Sequence, residues 1–228
     1  MNTDQTIKDF LETMNDPDIA VSEIQEYLEM QHHYTAAIKE VRTKLEILND
    51  GFALTHDHNP IHNIESRIKS TRSMINKLKS RGLEVSIASA RANLHDIAGI
   101  RVVCCYIDDV YAVGEMLSQQ DDVTVLETKD YISNPKPNGY RSLHLVISIP
   151  IFLSTGPIGV PVEVQIRTVA MDVWASLEHE LRYKTSNSIP QDANAELLLC
   201  ATTLSVLDDR MQKLFHEATE QNEDHKEP

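Results

Sequence analysis

Cysteine is nearly absent from this sequence, with three in 228 residues, and two of them sit side by side at Cys104-Cys105 inside an apolar run. An odd count with an adjacent pair excludes a disulfide framework. It reads as buried thiols in a reducing compartment, so the expected location is the cytoplasm. No apolar run approaches the roughly 20 residues of a membrane span, and Met1 to Asp9 is polar, unlike a signal peptide. Glycine is sparse, and neither G-x-x-x-x-G-K-[ST] nor G-x-G-x-x-G occurs. Any nucleotide held here must therefore be held by side chains and not by a backbone cradle. Cations are outnumbered, 21 Lys and Arg against 35 Asp and Glu, for a net charge of −14. The summed field repels phosphodiester backbones and excludes a general nucleic-acid binder. It leaves room for a small anion at a local basic cluster, because exposed charges are screened beyond about 8 Å.

Against these absences stands an ordinary globular composition, 41% hydrophobic and 25% charged, of a length that suits one domain with helical extensions. The most ordered stretch is Val162-Glu163-Val164-Gln165-Ile166-Arg167. Read with period two, Val162, Val164 and Ile166 face a core, and Glu163, Gln165 and Arg167 face the other way. A carboxylate, an amide and a guanidinium then project in a row from a rigid strand.

Helices are expected at Ile7 to Met14 and Val21 to Leu48, separated by Pro17 and stopped by Gly51. The stretch Thr55 to His62 carries Pro60 and reads as a loop. Its His56, His58 and His62 raise a zinc site as a side hypothesis, against which no familiar ligand spacing is present. From Arg67 to Arg81 lies the basic cluster Arg67, Lys69, Arg72, Lys77, Lys79 and Arg81, with no acid interleaved. Ser70 caps a helix that Gly82 ends, and Ser73 and Lys77, four apart, share a face. A solvated basic face in so acidic a chain would carry acids as well, so a polyphosphate site is the better reading. A central strand is expected at Val102 to Ile107, a helix capped by Asp108 running to Gln119, and a strand from Val123 to Tyr131. An irregular loop follows with Lys136 and Asn138. From Tyr140, period two sends Leu143, Leu145, Ile147 and Ile149 one way and Tyr140, Ser142 and His144 the other. Gly156 to Gly159 reads as the return turn, followed by helices at Val169 to Tyr183 and Ala193 to His216 and an acidic tail. The fold class is α+β, a mixed sheet flanked by helices. The expected division is an N-terminal helical extension at 1–54, the chemical domain at 55–190, and a C-terminal helix and tail at 191–228.

Two acids, Asp96 and Glu163, with a basic helix and an exposed Tyr140 suit magnesium-dependent phosphoryl chemistry. Mg²⁺ takes one or two carboxylates plus substrate phosphates, and polyphosphate charge wants Lys and Arg.

Ser66-Arg67-Ile68-Lys69-Ser70, Asp96-Ile97-Ala98-Gly99-Ile100-Arg101, Lys136-Pro137-Asn138-Gly139-Tyr140-Arg141-Ser142-Leu143-His144 and Glu163-Val164-Gln165-Ile166-Arg167-Thr168 resemble, in order, the synthetase motifs of RelA/SpoT-type alarmone synthetases. Trp174 to Leu181 extends the match. The resemblance implies a nucleotidyltransferase-like fold that moves the β,γ-pyrophosphate of ATP to the 3′-hydroxyl of GTP or GDP. Carried over by position, Arg67 and Arg101 flank the adenine, and Lys69, Ser73 and Lys77 hold the ATP phosphates. Arg81 joins that set with its basic position displaced by one. Asp96 binds Mg²⁺, and Glu163 serves as base for the 3′-hydroxyl and touches the metal. Tyr140 stacks on the acceptor guanine, Lys136 and His144 meet its phosphates, and Asn138 and Gln165 support it. Arg167 receives no role.

The length implies a small synthetase without hydrolase or regulatory domains, independent of the ribosome. Homotetramers form through terminal helices in relatives, and a silent nucleotide-binding regulator that takes single-stranded RNA is the competing reading. One subgroup carries an aromatic residue shortly before the Arg67 position. His62-Asn63-Ile64-Glu65-Ser66 has none there, which argues against activation by pppGpp.

Overall fold

The computed structural model describes residues 17–55, 58–184 and 191–224. The expected helix from Ile7 to Met14, His56, and the end of the acidic tail lie outside them. A mixed five-stranded sheet forms the centre, in the order β1-β2-β5-β4-β3. Its strands are β1 (Ile61–Ile68), β2 (Ala98–Cys104), β3 (Thr124–Asp130), β4 (Leu143–Leu153) and β5 (Gly156–Thr168). Only β2 and β5 run parallel; the other neighbours are antiparallel. The helices are α1 (Pro17–Thr55), α2 (Thr71–Ser80), α3 (Ile87–Asn93), α4 (Ile107–Ser118), α5 (Val169–Lys184) and α6 (Gln191–Asp224).

Alternation builds the core. On β5, Val160, Val162, Val164 and Ile166 are buried, and on β4 Leu143, Leu145, Ile147, Ile149 and Ile151 join them on the same face. Helix α1 crosses this face with Met30, Tyr34, Ala37, Ile38, Val41 and Leu45, all buried at helical spacing. It belongs to the core of its own subunit. Gly51 does not stop it: one helical glycine costs about 1 kcal/mol, less than the packing of a 39-residue helix returns.

Several other expectations shift. Pro60 marks no lasting irregularity, because β1 begins at the next residue as an edge strand, where a missing N–H is tolerated. Its polar sequence, IHNIESRI, hides the strand because only one neighbour and part of one face are covered. Helix α3, capped by the Ser86 side chain on Ser89 N, was not foreseen. Helix α4 starts at Ile107, and the Tyr106 N–H donates to Asp109 Oδ2 at 3.1 Å, so Asp108 is not its cap. The hairpin turn falls at Ser154-Thr155, beginning two residues earlier than expected, with Gly156 already paired to Leu153 at φ 117°. Tyr140 lies ahead of β4 in the loop, and Ser142 and His144 are buried instead of facing an open surface. Helix α6 runs on to Asp224, through much of the expected tail. The capped helix is as read: the Ser70 hydroxyl accepts from Ser73 N, and Gly82 follows at φ 67°.

Candidate active site

Register turns the period-two rows into a floor. Arg67 pairs with Gly99, which pairs with Glu163; Glu65 pairs with Arg101, Arg101 with Gln165, and Gln165 with His144. Paired residues point to the same side of a sheet, so these side chains share the face opposite α1. Gly99 contributes no side chain between Arg67 and Glu163, and a cleft of about 420 Å³ opens there. Its walls are Glu65, Ser66, Arg67, Asp96, Gly99, Arg101, Glu163 and Gln165.

One wall is a charge cluster. Asp96 Oδ2 accepts from Lys69 Nζ at 2.8 Å and Lys77 Nζ at 2.6 Å. Lys69 is presented by the short link between β1 and α2, whose backbone N–H donates to Ile97 O at 2.8 Å, and Lys77 comes from α2. Burial pushes the Asp96 carboxyl up, but the two lysine hydrogen bonds outweigh that and hold it below the ordinary value. Asp96 Oδ1 is buried and has no hydrogen-bond partner among the described residues. An ionised carboxylate with one oxygen held and the other vacant fits a divalent cation, with Glu163 across the same cleft as a second oxygen donor.

The other wall is a closed hydrogen-bonded ring. Glu163 Oε2 accepts from Gln165 Nε2 at 2.8 Å, and Glu163 Oε1 lies 3.3 Å from His144 Nδ1. His144 Nε2 is 2.8 Å from the Tyr140 hydroxyl. Arg167 Nη2 donates to that hydroxyl at 3.2 Å and to Gln165 Oε1, which closes the ring. Burial raises the Glu163 carboxyl, yet the donors from His144 and Gln165 more than offset this and leave it below the ordinary carboxylate range.

The loop from Lys136 to Tyr140 is tightly built. Gly139 N donates to Lys136 O at 2.8 Å and Lys136 N to Tyr140 O at 3.1 Å, with Gly139 at φ 90°. Asn138 braces the loop: its Oδ1 accepts from Tyr140 N at 3.2 Å and its Nδ2 donates to Glu178 Oε1 on α5 at 3.2 Å. Lys136 Nζ lies 4.5 Å from the Tyr131 ring centre and 4.7 Å from that of Tyr140, a cation between two aromatics.

The predicted site residues thus divide. Arg67, Asp96, Arg101, Glu163 and Gln165 line one cleft; Lys69 and Lys77 reach it through Asp96; Tyr140 and His144 join through the ring. Ser73, on the first turn of α2, accepts from the Ser70 hydroxyl at 2.9 Å. Arg81 is not among the residues lining the cleft and donates to Asn93 O at 2.9 Å, tying α2 to α3. Arg101 is 3.3 Å from Glu65 and 3.4 Å from Asp172.

Sequence reading passed over Asp172, Glu178 and Tyr131, and left Arg167 without a part. Arg167 had one legible signal, its place in the same period-two row as Glu163 and Gln165. The others are brought in by tertiary packing alone. Of the three histidines in 55–62, His58 is engaged by Asp109 Oδ1 at 2.9 Å, and no group of three or more His, Cys, Asp or Glu side chains gathers as a metal cage among the described residues. No described helix is long and apolar enough to cross a membrane.

The family model for the region found in RelA/SpoT proteins matches residues 66–188. GTP pyrophosphokinase YwaC of Bacillus subtilis is 44% identical over 178 residues, 78% of this chain and 85% of that protein. Small alarmone synthetase 1 from Bacillus subtilis bound to its product pppGpp superposes with a TM-score of 0.78 at 34% identity, covering 85% of this chain and 98% of that one. The same synthetase bound to AMPCPP gives a TM-score of 0.73 at 32% identity, covering 86% and 99%. The chain belongs to the RelA/SpoT family, and its likeness extends across nearly the whole of the small alarmone synthetases.

Proposed function

We propose that the protein transfers the β,γ-pyrophosphate of ATP to the 3′-hydroxyl of GTP or GDP, releasing AMP and forming pppGpp or ppGpp. The observation that carries the reading is the meeting, in one cleft, of a lysine-held carboxylate with a vacant buried oxygen and a glutamate oriented by two donors. The acceptor oxygen attacks the β-phosphorus, the bond from that phosphorus to the α–β bridging oxygen breaks, and AMP leaves with that oxygen. Arg67 and Arg101 flank the adenine from adjacent strands. Lys69, Lys77 and Ser73 bind the ATP phosphates, the two ammoniums exchanging part of their contact with Asp96 for phosphate oxygens. Tyr140 stacks on the guanine and Lys136 takes up the acceptor phosphates, while His144, with both ring nitrogens engaged in the ring, borders that site and holds Glu163. Asn138 and Gln165 act from behind, through the loop and the ring. Arg81 acts at most by holding α2 in place.

Glu163 orients the 3′-hydroxyl and receives its proton. Its depressed pKa makes it a weak base, so proton transfer falls late, and charge stabilisation by cations supplies most of the barrier reduction. Asp96 and Glu163 are the residues that would hold Mg²⁺, which, when bound, neutralises phosphate charge along the transfer. The chemistry is carried by 55–190, flanked by 1–54 and 191–228, whose described residues 17–54 and 191–224 are helical. Exposed apolar stripes, Val169, Val173, Leu177 and Leu181 on α5 with Leu198, Leu199, Leu207 and Leu214 on α6, support self-association, read as a homotetramer, and the free thiols of Cys104, Cys105 and Cys200 support the cytoplasm as its location. Light scattering that returned a monomer at micromolar concentration would remove the tetramer.

The deciding assay incubates the protein with ATP, Mg²⁺ and either GDP or GTP and follows AMP and a 3′-pyrophosphorylated guanosine by chromatography. AMP should rise in step with that product. Folded protein that forms neither would refute the reading.

A further inference from the structure

Arg167 is 2% exposed, and the transfer chemistry above does not require it to touch substrate. Removing a guanidinium from water is costly, and its carboxylate partner returns little, since Asp172 Oδ1 lies 3.5 Å away. Its Nε is buried without a hydrogen-bond partner among the described residues. What it does contact closely is a phenol oxygen and an amide oxygen, both neutral acceptors. A guanidinium can only donate. That restriction gives the ring a direction.

One arm runs from Arg167 to Gln165 to Glu163. Arg167 donates to Gln165 Oε1, so the amide nitrogen must face Glu163 Oε2, as observed at 2.8 Å. The other arm runs from Arg167 through Tyr140 and His144 to Glu163. With a lone pair of the Tyr140 oxygen engaged by Arg167, the phenol proton is directed to His144 Nε2, 2.8 Å away. A neutral imidazole that accepts at Nε2 carries its proton on Nδ1, and Nδ1 faces Glu163 Oε1 at 3.3 Å. Both arms therefore start at an obligate donor and end at an obligate acceptor.

We propose that Arg167 is a positioning residue for the transfer reaction: as the donor at the head of both arms, it holds His144 in the Nδ1–H tautomer and Gln165 in one amide orientation, so that Glu163 is clamped by two donors. The inference rests on the pyrophosphate-transfer reading of the site, in which Glu163 meets the 3′-hydroxyl. Without Arg167 the phenol proton has no fixed sense. The Nε2–H tautomer of His144 then becomes accessible, and it would turn a lone pair against the Glu163 carboxylate and push it out of line.

The test is nitrogen-15 NMR of the imidazoles in the protein without substrates, at a pH where His144 is neutral, with its signals assigned by their loss in His144→Gln. Wild type should show the Nδ1–H tautomer. Arg167→Met, which fills the buried volume, should show a substantial Nε2–H population. Its kcat should fall about 10- to 100-fold, the range seen when outer partners of a catalytic group are lost, with the KM for ATP unchanged. Arg167→Lys keeps an obligate donor and should restore the tautomer and most of kcat. Folded Arg167→Met with the wild-type tautomer, whatever its activity, overturns the proposal, as does loss of activity that lysine does not relieve. If Arg167→Met fails to fold, Tyr140→Phe cuts the same arm with Arg167 in place, and an unchanged His144 tautomer there overturns it equally. The tautomer is read without turnover, so failure of the positioning role is distinct from a wild-type chain that makes no pyrophosphorylated product.

Discussion

Glutamine in place of Glu163 keeps the outline of the side chain and changes two things at once, and the structure separates them. The carboxylate accepts from Gln165 Nε2 at 2.8 Å and faces His144 Nδ1 at 3.3 Å. A carboxamide has one accepting end. Arg167 holds the Gln165 amide by its oxygen, so its nitrogen cannot turn away freely, and in Glu163→Gln one donor must meet another donor. Leaving one buried polar group unpaired costs about 1–3 kcal/mol, which in a chain of this size lowers the melting temperature by roughly 2–12 °C. Loss of the base is a separate effect of roughly 10²-fold or more on kcat, about 2.7 kcal/mol of barrier. ATP binding should persist, because Arg67, Lys69, Ser73 and Lys77 lie outside the ring. The assay is kcat at saturating ATP and GDP, well below the melting temperature, alongside ATP titration and a thermal melt. Near-wild-type turnover with normal ATP binding would refute the base. An unchanged melting temperature would refute the ring.

Gly139 sits at φ 90°, and a Cβ built there meets Ala201 Cβ at 2.5 Å and Leu198 Cδ1 at 3.2 Å. Gly139→Ala should therefore raise the KM for GDP and leave that for ATP in place, and Ala201→Gly should return part of the loss; full independence of the two changes in a double-mutant cycle would contradict the contact. The depressed pKa of Asp96 means that its ionised form stabilises the fold above its ordinary value of 3.8, and this stabilisation is lost as pH falls through the lower folded value. The melting-temperature gap between wild type and Asp96→Asn should accordingly be full at pH 6 and shrink in strong acid; a gap that widened on acidification would reverse the sign. Burial pushes the Cys104 thiol far up, so alkylation of the native protein at pH 8, read by mass spectrometry, should modify exposed Cys200 and spare Cys104. Arg81→Ala, which removes only the tie to Asn93 O, should lower kcat/KM less than threefold, and a loss comparable to that of Lys77→Ala would return Arg81 to the phosphate site.

Strand β5 and helix α2 were readable because each carries its own instructions. Val162, Val164 and Ile166 alternate against a buried face, and Ser70 and Gly82 punctuate an uninterrupted basic helix. Strand β1 and helix α3 were not, since an edge strand needs no clean alternation and a seven-residue helix has too little period to register. Helix α1 was read as an extension, because an amphipathic stripe does not say whether its partner is the same subunit or another.

Local pattern alone determined which side chains of this protein project together: Glu163, Gln165 and Arg167 from one strand, Ser73 and Lys77 from one helix face, and Asp96 at the entry to another strand. These follow from the pleat, the helical turn and the capping chemistry, which depend on near neighbours in the chain. Tertiary structure alone decided who meets whom. Lys69 and Lys77 share Asp96 across separations of 27 and 19 residues, and Arg167 reaches Tyr140 across 27. Such contacts depend on strand register, and a one-residue slip would send every member of the row to the opposite face. Register is set by the sum of the core contacts, so the cleft and the direction of its hydrogen-bonded ring exist only in the folded sheet.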